Sequence, residues 1–195
     1  MFQFKGNRQY LHGTDFYRFS QQQLATSCPD FSHISSLSFR SFATHQCSLS
    51  LTIPGEADIS PCKGEAMTQT GEKVPFWWLQ TDEPVTERYA FDEERAVHGA
   101  IINDVKESIS TAVQYEYSTI EMVVALTKAL HYAFAPNVEG KWVFAQLNTA
   151  AALPDSYSSL QICLKNYIPN RFSVSQVLIN GAEIGTIRFI VGGSQ

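Results

Sequence analysis

Hydrophobic and polar residues alternate along three segments in the first half of the chain, and the same pattern returns in the second half. The segments are residues 37–42, 47–53 and 64–79, and then residues 142–147, 159–164 and 174–190. Alternation with a period of two is typical of half-buried strands. Gly71 and Gly181 occupy the same place in the last segment of each half, about 110 residues apart. The repeat predicts one supersecondary unit used twice in a single polypeptide.

A long helix is predicted over residues 119–134, after an alternating strand over residues 108–117. Ser118 and Glu121 have the spacing of a capping box, which marks the first turn of a helix. Apolar residues cover most of the helix circumference, so the pattern predicts a buried helix. Asn180-Gly181 between two alternating runs predicts a β-hairpin, because a type I′ turn requires positive φ at both positions.

The first half has a weaker helix pattern over residues 14–25, capped by Thr14 or Asp15. It carries fewer apolar residues and is expected to pack less deeply. The charged, proline-containing stretch between the halves predicts a connector. The expected organisation is a first unit at residues 1–82, a connector at 83–97 and a second unit at 98–195.

Strand, buried helix, antiparallel strands and a long final hairpin together resemble the hotdog fold of acyl thioesterases and hydroxyacyl-carrier-protein dehydratases. The run from residue 37 to residue 79 is similar to the strands that follow the central helix in those proteins. Two copies resemble a double hotdog. The resemblance implies an α+β fold made of two β-α-β-β-β units, each with an antiparallel sheet wrapped round a central helix.

The chain departs from the catalytic pattern of the dehydratases. Those enzymes use a histidine on a loop and an acidic residue on the central helix. Laying the motif of that helix on residues 122–129 puts Val124 at the acid and Lys128 at a glutamine. No histidine- and proline-containing loop of the dehydratase type precedes the helix. The resemblance therefore implies thioester hydrolysis more than dehydration.

Composition and charge exclude several classes of function. The chain of 195 residues has a net charge of −5 without a run of Lys or Arg, which argues against a nucleic-acid partner. It has neither the order of a signal peptide nor an apolar stretch long enough for a bilayer, so we expect a soluble, cytoplasmic protein without membrane association. The four cysteines lack metal-binding spacing, and no nucleotide or triad motif occurs. We expect no metal and no cofactor.

His12-Gly13-Thr14-Asp15 is the polar cluster with the most chemical potential. His12 is a candidate general base near neutral pH, with Asp15 orienting its imidazole. Gly13 allows the backbone to approach a thioester carbonyl, and the amides that open the next helix are candidate donors to an oxyanion. The alternative is a simple turn and helix cap with an exposed His12.

Glu121 lies about where hotdog thioesterases carry a carboxylate, although the capping box also explains it. In a pseudo-dimer the two helices lie side by side, so we expect His12 and Glu121 to act together. Lys128 either extends to the surface or meets an anionic ligand. Trp78 is a candidate for lining an acyl or aromatic ligand. His131 is expected to be a packed histidine or a partner of the helix dipole.

These observations predict a hydrolase-like or dehydratase-like protein acting on an acyl thioester of coenzyme A or acyl carrier protein. The alternative is a non-catalytic hotdog module that binds an acyl or aromatic ligand or a protein partner. Uncovered strand edges predict a homo-oligomer joined through its sheets.

Overall fold

The computed structural model describes residues 1–112 and 116–192 and divides the chain into two compact units, Met1–Asp92 and Glu93–Gln195. The division falls inside the predicted connector. Each unit combines helix with mostly antiparallel strands, so the α+β class is confirmed.

The first unit carries a helix followed by an antiparallel sheet. In chain order its elements are β1 (Phe4–Lys5), α1 (Gly13–Ser27), β2 (Phe31–Phe39), β3 (His45–Ser50), β4 (Cys62–Thr68), β5 (Lys73–Pro84) and β6 (Arg88–Tyr89). Four of the strands lie in the order β3-β5-β4-β2, and β1 pairs with β6 in parallel. Helix α1 is longer than predicted and buries one face, which includes Phe16, Ser20 and Leu24.

The second unit repeats the helix and sheet with a longer set of strands. Its elements are α2 (Glu93–Val97), β7 (Ile101–Asn103), β8 (Ser108–Thr111), α3 (Thr119–Phe134), β9 (Lys141–Thr149), β10 (Leu160–Ile168), β11 (Phe172–Ile179) and β12 (Ala182–Gly192). The sheet order is β9-β12-β11-β10-β8-β7. Of the strand predicted over residues 108–117, Val113, Gln114 and Tyr115 lie outside the described residues.

The sheet of the second unit curls round α3. The helix contacts β9 at one end of the strand order and β8 and β10 towards the other. In a flat sheet β9 and β8 would be roughly 19 Å apart, which a helix about 10 Å wide does not span. Met122, Val123 and Leu126 of α3 are fully buried. The predicted limits of this helix and its burial are confirmed.

Among the described residues, no helix combines the length and apolar character needed to cross a membrane.

Candidate functional site

His12 is the N-cap of α1 and is buried, with 9% of its surface exposed. Its backbone is extended, and its Nδ1 accepts a hydrogen bond from the Thr14 amide at 3.4 Å. The predicted cap at Thr14 or Asp15 is therefore wrong. An imidazole nitrogen replaces the usual cap oxygen, because both of those residues already belong to the first turn and use their side chains elsewhere.

Lys5 is a fully buried lysine beside this cap. Its Nζ donates to Thr14 Oγ1 at 3.0 Å and lies 3.8 Å from the centroid of the Phe91 ring. Thr14 Oγ1 in turn lies 2.8 Å from His12 Nδ1. One hydroxyl thus connects a buried ammonium to the imidazole, and the aromatic face of Phe91 supports the positive charge.

Asp15 lies in the first turn of α1 with 3% of its surface exposed. Its carboxylate accepts from the Tyr89 hydroxyl at 2.8 and 2.9 Å and pairs with Arg18 Nη2 at 3.3 Å. Tyr89 stands opposite Lys5 in the β1–β6 pair. The strand pair therefore brings a lysine and a tyrosine to the start of α1. The orientation of the imidazole by Asp15 stays a prediction.

Sequence reasoning missed Lys5 and Tyr89 and assigned Thr14 a different role. Lys5 and Tyr89 lie in two-residue strands, which are too short to show a hydrophobic period. The role of Thr14 was predictable from the sequence, because the hydroxyl of a threonine two residues after a histidine can reach a nitrogen of the imidazole ring.

The two predicted ligand-binding residues of this unit lie in different settings. Gly13 opens α1 and is half-buried, directly beside His12. Trp78 is fully buried, packs edge-on against Phe2 and donates its indole N–H to Ser20 Oγ at 2.8 Å. Its contact with a ligand stays a prediction.

Glu121 takes part in the predicted capping box, which is confirmed. Its Oε2 accepts from the Ser118 amide at 2.9 Å and from the Ser118 hydroxyl at 2.7 Å. Val124, which the resemblance places at the acid of the dehydratase helix, is an apolar core residue with 3% of its surface exposed. The carboxylate at the start of α3 is thus ordered by local hydrogen bonds, as a positioned acid or base must also be.

Lys128 is partly exposed and its Nζ forms an ion pair with Glu93 Oε2 at 2.6 Å. The ammonium also lies 6.0 Å from the centroid of the Tyr132 ring. Within its own unit the lysine therefore has a carboxylate partner in α2. Its contact with an anionic ligand stays a prediction.

Within residues 1–112 and 116–192, no group of His, Cys, Asp and Glu side chains has a metal-binding arrangement. All four cysteines are free thiols. Burial raises the pKa of the Cys47 thiol to about 12 and raises that of Cys62 well above its ordinary value. These two thiols are therefore unreactive at neutral pH.

The sequence matches no protein-family model and no curated protein. Among solved structures, it is similar to a pyran synthase domain of the sorangicin pathway, with 12% identity and a TM-score of 0.49 over 98% of this chain and 91% of that one. A dehydratase domain of PpsC from Mycobacterium tuberculosis, in complex with an acyl-CoA, is 12% identical with a TM-score of 0.46 over 94% and 85%. A proposed thioesterase from Novosphingobium aromaticivorans is 12% identical with a TM-score of 0.46 over 97% and 90%.

The arrangement of helix and antiparallel strands in each unit settles the fold. The chain is a double hotdog. The likeness is to dehydratase and thioesterase folds, and it extends to architecture only.

Proposed function

We propose that the protein binds an acyl thioester of coenzyme A or acyl carrier protein and hydrolyses it. In that reaction water adds to the thioester carbonyl, the C–S bond breaks, and the thiol leaves with a proton. The observation that supports the proposal is the buried His12, fixed at the start of α1 beside Gly13 and the first amides of the helix. The amides of Thr14, Asp15 and Phe16 already donate to His12. The Gly13 amide and the His12 ring are therefore the proposed donors to a carbonyl oxygen as its negative charge develops.

The proposal divides the chemistry between His12 and Glu121. Glu121 is the proposed carboxylate that takes a proton from water, and Asp15 is the proposed orienting group of the His12 imidazole. Lys128 is the proposed contact for an anionic group of the ligand. Dehydration is disfavoured by Val124, because a valine cannot supply the acid that the dehydratase helix carries.

Turnover is tested with a panel of acyl-CoA and acyl-carrier-protein thioesters, scored by release of free thiol. His12→Asn is the informative variant, because asparagine is a good N-cap that retains an acceptor but lacks the imidazole. We expect kcat to fall by about 10² to 10³, the usual effect of removing one donor to the developing oxyanion, with the melting temperature unchanged. His12→Ala additionally removes the cap and should cost about 1 kcal/mol of stability.

His45→Ala is the matched control, since His45 is a half-buried histidine of the same unit outside the cluster. It should leave turnover unchanged. Equal turnover by His12→Asn and the wild-type protein would show that His12 does not take part in the hydrolysis.

The second candidate function is a non-catalytic module that binds an acyl or aromatic ligand or a protein. It is favoured by Glu121, whose carboxylate is engaged in the capping box, and by the apolar Val124. Absence of turnover with every thioester of the panel, together with measurable binding by calorimetry, would favour this function over hydrolysis.

A further inference from the structure

Two donors of Thr14 converge on one nitrogen of His12. The backbone N–H of Thr14 can only donate, so the 3.4 Å contact makes Nδ1 an acceptor. The Thr14 hydroxyl lies nearer, at 2.8 Å from the same nitrogen. A proton on Nδ1 would point at the Thr14 amide hydrogen, which the geometry of the cap disfavours.

Lys5 decides which way the Thr14 hydroxyl points. An ammonium has three protons and no acceptor, so Thr14 Oγ1 accepts from Lys5 Nζ at 3.0 Å. The single proton of the hydroxyl then remains for His12 Nδ1. Burial by itself disfavours a charged lysine, whereas the face of the Phe91 ring, 3.8 Å from Nζ, favours the ammonium. As an ammonium, Lys5 sets the direction of this chain of hydrogen bonds.

We infer that Lys5 and Thr14 are positioning residues that hold neutral His12 in the tautomer with its proton on Nε2. His12 then presents a hydrogen-bond donor to a substrate, and the general-base role expected from the sequence passes to another group. The role toward a thioester carbonyl rests on the proposed function. The tautomer does not, because it follows from contacts within the first unit.

The test is an NMR measurement on the full chain labelled with ¹⁵N-histidine, at a pH where the ring is neutral. Two-bond ¹H–¹⁵N correlations distinguish a protonated ring nitrogen from an unprotonated one, and His12→Asn assigns the signals. We expect the wild-type His12 ring to be protonated at Nε2. A neutral ring protonated at Nδ1 would overturn the inference without touching the hydrolysis proposal.

Variants test the roles of the two positioning residues. Thr14→Val keeps the shape and the amide but removes the hydroxyl, and Lys5→Met keeps an apolar stem without the charge. Each should shift the ratio of the two tautomers toward Nδ1–H by about fivefold, which corresponds to one hydrogen bond of about 1 kcal/mol. Thr14→Ser should restore the wild-type ratio.

Thr26→Val is the matched control, because Thr26 lies in the same helix, is exposed and donates its hydroxyl to the Gln22 carbonyl, away from His12. An unchanged ratio in Thr14→Val would refute the positioning role of the hydroxyl. If Lys5→Met does not fold, Thr14→Val and Thr14→Ser still test the positioning role of the hydroxyl. The tautomer ratio is measured by NMR, so neither variant requires an activity measurement.

Discussion

At the scale of single residues, His131 shows how an interior position sets the charge of a side chain. Its ring lies 4.5 Å from the Trp142 ring and 5.1 Å from the Phe189 ring, and its Nε2 is 2.6 Å from Ser173 Oγ. Burial lowers the pKa of His131 to about 4. The histidine is therefore neutral at pH 7, and the prediction of a packed histidine is confirmed.

This burial predicts that stability falls on acidification. The unfolded chain binds a proton at His131 near pH 6.5, whereas the folded chain does so only near pH 4. Protonation therefore favours the unfolded state as the pH decreases from 6.5 to 4, by up to about 3 kcal/mol, and has no such effect above pH 6.5. Urea unfolding at a series of pH values measures the slope.

His131→Phe is the comparison, because it keeps an aromatic ring and removes the titration. Its unfolding free energy should depend less steeply on pH than that of the wild-type protein. Some slope remains, since burial also lowers the pKa of His33 and carboxylates titrate in the same range. Identical slopes in the two proteins would show that His131 is not the buried, neutral group described here.

At the scale of elements, the sequence predicted hairpin turns well, but it did not predict which distant strands pair. Gly71 and Gly181 have φ of 85° and 79°, and each lies in the turn of a hairpin, as the sequence predicted. The order of the hairpin strands differs between the units. In the first unit β4 lies next to β2, whereas in the second β12 lies next to β9. A hairpin is formed by neighbouring residues, but its placement depends on contacts far away along the chain.

Two further glycines lie in strands where the neighbouring strand leaves no room for a Cβ. A Cβ at Gly64 would lie 2.6 Å from the Ser36 carbonyl oxygen, and one at Gly185 would lie 2.0 Å from the Asn148 carbonyl oxygen. Both glycines lie on the strand that neighbours the first strand after the helix. Their sequence context is that of ordinary strand residues, so the alternating pattern gave no sign of this role.

Gly185→Ala is expected to destabilise the protein by about 1 to 3 kcal/mol, the usual cost of forcing an added methyl group into a packed interior. The clash is with backbone, which cannot rotate away as a flexible side chain would. Gly71→Asn serves as control, because the site is open and asparagine tolerates positive φ. Equal melting temperatures for Gly185→Ala and the wild-type protein would contradict the close approach of β12 and β9.

At the scale of the whole molecule, the repeat carried most of what the sequence could predict. It indicated two units, each with one helix and an antiparallel sheet, because hydrophobic periodicity reports which face of each element is buried. The candidate site was harder to predict from the sequence than the fold. His12 and Glu121 could be chosen by residue type, but Lys5 and Tyr89 reach His12 and Asp15 through the pairing of two short strands. Such pairing has no signature in the local sequence.

The joint action of His12 and Glu121 in one reaction is a prediction that a double-mutant cycle can test. His12→Asn and Glu121→Gln are suitable changes, because asparagine serves as an N-cap and glutamine serves at the third position of a capping box. Each should therefore retain the melting temperature while lowering kcat for thioester hydrolysis. If both residues act in the same step, the double variant should be about as slow as the slower single variant, since groups that work as a unit are not additive. Losses that multiply would instead show that the two side chains contribute independently, and the common site would have to be abandoned.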